Sequence, residues 1–349
     1  LKLNGAEIGH AYREQKELQE ANMLRKFLDK ISYFVLPGLG LIFATLAYNM
    51  RGGTILKSFP YFDTFITFVI MLTLERAWTY YKAKSQKHMI WRDMMSTAVQ
   101  TFVAGGVMAA VVVPILHYGP NTFLGRRIIF GLSDELGPLW VQVIAAFLLS
   151  SLWHYWMHRW EHTNDFLWKL HGYHHSVTNV QISNVLVSNP LDWALRNVLG
   201  GLVLGIIGFN PAAIVIAGSI GLNYGNFSHS GTDAKGGWFN YFWNGPEVHR
   251  WHHATAYPDD PKFRYGCNFG VSDTFWDILF GTFYLPKDAK GNVIPPDAIG
   301  HPEGYPDEPH YLKILFAARC FPAVNRMFDR WAEMHNGKKV GSTAAQPAE

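Results

Sequence analysis

The sequence predicts an all-α integral membrane protein: about four transmembrane helices, a membrane-embedded helical hairpin, and a cytoplasmic helical cap that carries a cluster of histidines. Three observations predict it. Apolar residues make up 49% of the 349 residues and charged residues only 16%, where soluble domains carry about 25% charge. The apolar residues fall in long uncharged blocks. Ten of the 16 histidines lie between residues 154 and 253.

Residues 1–32 form an N-terminal segment. Its charged stretch 12–29 reads as an interfacial amphipathic helix, and the first apolar block begins too late and runs too long for a signal peptide. Residues 33–135 hold the first three predicted spans: 33–50 without charge, 61–74 with Asp63 alone, and 94–117 with no charge after Asp93. Residues 136–286 form the histidine-bearing domain, which opens with a fourth span at 137–153. Each block approaches the roughly 20 residues that cross a bilayer as a helix. A fifth apolar region, 197–227, is divided by Asn210-Pro211 into two arms of about 15 residues, which suits a hairpin that enters and returns. Residues 287–349 are a C-terminal extension whose tail after Asn336 reads as disordered.

Four spans place the N-terminus, the 75–93 loop and everything after Trp153 on one side. Lys2, Arg13, Lys16, Arg25, Lys26 and Lys30, then Arg76, Lys82, Lys84, Lys87 and Arg92, lie on that side. The opposite loops offer Arg51, Lys57, Arg126 and Arg127. This bias predicts that the N-terminus and the histidines are cytoplasmic. A net charge of +3 with no basic-aromatic repeat excludes a nucleic-acid partner, and two cysteines, Cys267 and Cys320, make neither a disulfide framework nor a zinc ribbon.

The histidines fall in a pattern. His154, His158 and His162 are spaced by four, a step of about 40° and 6 Å on an α-helix. His171, His174 and His175 make H-x-x-H-H, His249, His252 and His253 repeat it, and His229 stands between. On a helix the first histidine of H-x-x-H-H faces both later ones, so each group can be divided between two ions. Neutral imidazole is the commonest protein ligand for transition metals, and ten of them suggest two ions. The hairpin turn at Asn210-Pro211 returns His229 to the face where the other groups lie. Glu161, Asp192, Glu247 and Asp273 are candidate carboxylates to accept the second ring N–H of a ligating histidine. His10, His88, His117, His301, His310 and His335 are scattered and read as ordinary hydrogen-bonded residues. Imidazole suits zinc, copper, nickel and iron. Iron is the one that binds O2 and oxidises unactivated C–H bonds, the chemistry a bilayer lipid would require.

The segment Trp153-His-Tyr-Trp-Met-His-Arg-Trp-Glu-His162 resembles the first histidine box of the sterol desaturase and fatty acid hydroxylase superfamily. Leu170-His-Gly-Tyr-His-His-Ser176 resembles the second box and Glu247-Val-His-Arg-Trp-His-His253 the third. His229-Ser-Gly231 is similar to the short motif before the third box in sterol methyl oxidases. Asn268-Phe-Gly270 and the run from Trp276 to Thr282 resemble the segment downstream of that box. The resemblance covers about residues 135–285. It implies an integral-membrane oxygenase with two Fe ions and O2 as co-substrate that hydroxylates or desaturates a sterol, fatty acyl or related lipid. The implied ligands are His158, His162, His171, His174, His175, His229, His249, His252 and His253. His154 matches an extra histidine found in some branches, and Asn268 would hold a water or an outer position. With no flavin or nicotinamide fingerprint and no haem domain, the electron donor would be a separate protein, a ferredoxin or a b-type cytochrome with its reductase. A zinc-dependent membrane hydrolase or isomerase and a non-catalytic membrane metal-binding protein are the alternatives. Zinc sites, with three or four ligands, fit so many histidines less well, and a carrier would place its ligands along the spans.

Overall fold

The computed structural model describes residues 62–80, 90–107, 136–302 and 311–336. The interfacial segment 1–32, the first predicted span, the latter part of the third and the tail after Asn336 lie outside them. Among the described residues the fold is helical. The helices are α1 Phe62–Ala77, α2 Ile90–Val107, α3 Leu139–Thr163, α4 Asp165–His171, α5 Pro190–Ile207, α6 Pro211–Ser228, α7 Pro246–His252, α8 Phe275–Leu279, α9 Tyr311–Leu315 and α10 Pro322–Asn336, joined by 3-10 turns and a few isolated bridges.

α3 is the central element. It packs against α4, α5 and α6, while α1 lies on α6 and α2 on α5. Its first half is apolar, with Trp140, Ile144, Leu148 and Leu149 exposed. Its second half carries the first histidine group, so one helix joins an apolar face to the candidate centre. Asn164 ends α3 and starts α4, with its side chain accepting from the N–H groups of Phe166 and Leu167 at 3.1 and 3.0 Å. One residue therefore caps the second helix as it closes the first.

The predicted hairpin is present with its turn at Asn210-Pro211, but its arms are longer than the apolar pattern suggests. α5 and α6 each run 18 residues. Asn189-Pro190 starts α5 as Asn210-Pro211 starts α6: the Asn side chain accepts from the N–H two residues on, at 2.9 Å in both, and proline occupies the first turn. Polar Asp192 and Arg196 lie in the first turns of α5, which is why counting apolar residues misses them. Gly208, at φ 99°, closes α5 in the left-handed region. Gln142 of α3 fastens the turn, donating to Gly137 O and accepting from Asn210 N, both at 2.9 Å. Trp153 lies so close to Gly200 that a Cβ there would sit 2.8 Å from its ring, and its indole donates to Arg196 O at 3.0 Å. Gly200 thus packs helix on helix, as small residues do.

Two described helices, α3 and α5, are long and apolar enough to cross a membrane. The four-span expectation is supported here only at its fourth member. The second predicted span forms the 16-residue α1. The third begins in α2, whose first turn buries an Arg92–Asp93 ion pair at 2.8 Å. The arm expected to be too short to span, α5, is the second long apolar helix.

Candidate metal centre

Each histidine arrives on a different kind of element. His158 and His162 project from α3, one turn apart. His171 is the last residue of α4, and His174 and His175 follow in a 3-10 turn beyond Gly172. His229 caps the end of α6. His249 and His252 lie on α7, which His253 caps. The second H-x-x-H-H is helical as expected, whereas the first straddles the end of a helix.

These nine side chains, all buried, form two adjoining groups. His158, His162, His171, His175 and His252 offer nitrogens within 4.8 Å of one another, and so do His174, His229, His249 and His253. The H-x-x-H-H segments are shared out as the spacing predicts. The first sends His171 and His175 to the larger group and His174 to the smaller. The second sends His252 to the larger and His249 and His253 to the smaller. The rings of His175 and His253, one from each group, stack 4.3 Å apart.

The ring nitrogens show what the groups are built to hold. His158 Nδ1 donates to Phe269 O at 2.7 Å, His252 Nδ1 to Cys267 O at 2.9 Å, His229 Nδ1 to Gln181 O at 3.1 Å and His175 Nδ1 to Gly300 O at 3.4 Å. A neutral ring that donates from Nδ1 presents a lone pair at Nε2. The Nε2 atoms of His162, His175, His229 and His252 are buried with no hydrogen-bond partner. Buried polar atoms are rarely left so. Nε2 of His158 approaches Nε2 of His171 at 3.1 Å, and Nε2 of His253 approaches that of His249 at 3.1 Å. Two nitrogens about 2.1 Å from one ion and at right angles are about 3 Å apart. Converging lone pairs suit a cation in each group. Burial, and after it the neighbouring imidazoles, push His174, His175, His249 and His253 well below the ordinary histidine value. They are neutral, ligand-competent rings at neutral pH.

The expected carboxylates divide. Asp192 Oδ1 lies 3.4 Å and Glu161 Oε2 3.7 Å from His171 Nδ1. Arg196 holds both, at 2.7 Å from Asp192 and 3.5 Å from Glu161. Glu247 instead accepts from Gly236 N at 2.8 Å and Asn240 Nδ2 at 2.9 Å, bracing the loop before α7. Asp273 accepts from Phe275 N at 3.2 Å at the start of α8. Asn268 is committed to the backbone: it donates to Val248 O and Tyr284 O at 3.0 and 2.9 Å and accepts from Tyr284 N at 2.8 Å. The part assigned to these three is filled by backbone carbonyls, because the loops at 181, 267–269 and 300 fold directly onto the imidazoles.

His154 joins neither group. Its Nε2 lies 3.3 Å from Asn197 Oδ1 of α5. One turn deeper in α3 than His158, it faces the neighbouring helix where His158 and His162 face the cap. His301, read from sequence as an ordinary residue, stands beside the larger group, its ring 4.2 Å from Trp168 and 5.8 Å from His162. Burial pushes its imidazole down to about 4.

Asp277 is the supporting residue that sequence reasoning missed, choosing Asp273 instead from the same segment. Its carboxylate accepts from Phe269 N at 2.8 Å, Gly270 N at 2.7 Å and Thr282 Oγ1 at 2.7 Å, although burial pushes it up to about 7. It thereby fixes the peptide whose carbonyl orients His158. Asp277→Ala leaves two buried N–H groups unpaired, so we expect destabilisation of about 2–5 kcal/mol. Metal affinity should also weaken roughly 10- to 100-fold. Thermal unfolding and metal content of the purified variant check both, and unchanged values would refute the assignment.

Known proteins share this stretch of chain. The Fatty acid hydroxylase family profile matches residues 143–282, the stretch from α3 through α8 that supplies all nine grouped histidines. An ornithine lipid hydroxylase of Rhizobium tropici is 27% identical over 149 residues, 43% of this chain and 44% of that protein. A sphinganine C4-monooxygenase of Arabidopsis thaliana is 30% identical over 150 residues, 42% of this chain and 54% of that protein. A methylsterol monooxygenase of Aspergillus fumigatus is 27% identical over 160 residues, 44% of this chain and 50% of that protein. Residues 143–282 of this chain are thus similar to the fatty acid hydroxylase family and to lipid-oxidising relatives. It spans about half the length of the curated relatives it matches. No solved structure matches it.

Proposed function

We propose that the protein is a membrane-bound lipid hydroxylase or desaturase that works with two iron ions, O2 and electrons from a separate redox protein. The observation that carries this reading is the pair of adjoining all-imidazole groups with Nε2 lone pairs aimed inward and unpartnered. In this reading five histidines hold one ion, four hold the other, and His154 holds neither, which the two groups support. Two irons held there supply the activation of O2 that oxidation of an inert C–H bond requires. Hydroxylation takes one lipid C–H, one O2, two electrons and two protons to an alcohol and water, and desaturation takes two neighbouring C–H bonds, with the same O2, electrons and protons, to an alkene and two waters.

The chain's own residues then hold and shield. Backbone carbonyls at 181, 267, 269 and 300 keep four imidazoles in one tautomer. Asp192 and Glu161 place negative charge beside His171. Phe269 and Trp168 pack on His162, with ring centroids at 5.2 Å for each, and exclude water from that side. α3 runs from its exposed apolar half to His158 and His162, which favours a substrate delivered from the bilayer. Relatives named for ornithine lipid, sphinganine and methylsterol oxidation support a lipid substrate. In this reading the chain crosses the membrane several times, with its N-terminus and centre cytoplasmic. Its electrons come from a ferredoxin or a b-type cytochrome with its reductase.

The test is mass spectrometry of membrane lipids from cells expressing the wild type or His174→Ala. We expect a lipid heavier by one oxygen, or lighter by two hydrogens, in the wild type alone. Identical lipid profiles in cells that make the folded wild type with its donor would reject the proposal.

A further inference from the structure

Outside the family-matched segment, one side chain grips the smaller histidine group. Glu75 lies in the last turn of α1, and its side chain is buried. One carboxylate oxygen, Oε2, accepts from Ile182 N at 2.9 Å and Gly231 N at 2.6 Å. These two N–H groups belong to loops more than 40 residues apart in sequence, and both loops bear on His229. Gln181, next to Ile182, accepts the His229 Nδ1–H at 3.1 Å. Gly231 lies two residues beyond His229. Pairing of the chain after α1 with the same loop extends the grip: Tyr80 N donates to Gly231 O at 2.8 Å and Asp233 N to Trp78 O at 3.2 Å.

We infer that Glu75 is a positioning residue for the smaller metal site, holding the Gln181 carbonyl against His229 so that Nε2 points at His174, His249 and His253. The inference rests on the two-iron reading above. The Glu75 carboxylate and the His229–Gln181 hydrogen bond bridge the same gap between loops. Hydrogen bonds to a carboxylate are roughly twice as strong as neutral ones. Without Glu75 the imidazole must hold the loops together as well as present its lone pair. A glycine at 231 keeps the approach open, since a Cβ there would lie 3.1 Å from the Glu75 carboxyl carbon. The larger group takes no residue from the 181 and 231 loops, so it should not depend on Glu75.

The test compares full-length wild type, Glu75→Leu, Glu75→Gln and His229→Ala in detergent after loading with ferrous iron, and again with Co(II) for its ligand-field absorption. We expect about two metals per wild-type chain and about one in Glu75→Leu and His229→Ala. Affinity for the second metal should fall on the order of 10-fold or more in Glu75→Leu. Glu75→Gln, which keeps an acceptor oxygen, should recover most of it. Retention of the first metal with its Co(II) spectrum unchanged is the readout that a general loss of fold would not give. Two metals with a wild-type spectrum in Glu75→Leu, or loss of both metals in parallel with unfolding, would overturn the inference. A wild type that binds no metal would instead defeat the two-iron reading itself, and the role of Glu75 with it.

Discussion

If the protein is the proposed two-iron oxygenase, removing iron or excluding O2 should stop lipid oxidation, with activity falling on the order of 100-fold or more. The expectation comes from the lining of the centre. Every converging atom in the two groups is an imidazole nitrogen, and the nearest carboxylates, Glu161 and Asp192, are already engaged by Arg196. Ferrous iron returned to the apoprotein restores product. Zinc occupies the same nitrogens but has no redox chemistry, and it leaves the protein inactive. Product assays under argon, after chelation, and after each metal is returned check this. Turnover without O2, or restored by zinc alone, would favour the hydrolase or isomerase alternative.

The second large effect is acid lability of the metal-free protein. Burial holds His174, His175, His249, His252 and His253 well below the ordinary imidazole value, and all five owe their next largest lowering to neighbouring imidazoles. In the unfolded chain each takes a proton near pH 6.5. Below that pH the unfolded state binds protons that the folded state refuses. The stability these groups allow is therefore present above about 6.5 and is lost as pH falls. Each contributes a slope of about 1.4 kcal/mol per pH unit, so five sum to about 7 kcal/mol per unit, comparable with the 5–15 kcal/mol of a typical domain. Asp277, pushed up to about 7 by burial, acts in the opposite sense. Its stability is lost as pH rises towards 7, and the Asp273 carboxyl, also raised by burial, acts in the same sense, but these are fewer groups than the five imidazoles. Unfolding midpoints of the apoprotein should fall steeply from pH 7 to pH 5, and bound metal, which competes for the same nitrogens, should shift the fall to lower pH. A flat or rising midpoint across that range would show that these rings are not buried neutral.

Much of the centre was legible along the chain because its chemistry is local in sequence. Spacings of three and four carry a helical geometry with them, so His158 with His162, and His249 with His253, group by their spacing. Asn210-Pro211 marked the turn of the hairpin by the same local logic, since proline suits a first helical turn and asparagine the cap before it. The start of α5 was missed because Asp192 and Arg196 break the apolar pattern, although Asn189-Pro190 carried the signal. His154 satisfies the spacing of its stripe, but membership of a stripe does not say which neighbour a turn will meet.

Beyond Glu161 and Asp192, the residues that support the ligands were not legible. Glu75, Asp277 and the carbonyls of Gln181, Cys267, Phe269 and Gly300 act across long separations through loops that have no periodicity. A backbone carbonyl also leaves no mark in a sequence, because every residue has one. The sequence by itself determined the helical class and which imidazoles gather at a centre that could hold metal, both of which follow from residue type and short-range spacing. The tertiary structure alone decided how nine histidines divide into five and four, which side chains brace them and that His154 faces away. Those outcomes depend on how helices and loops pack in three dimensions, where a one-turn offset or a single buried carboxylate changes a neighbour without changing the pattern.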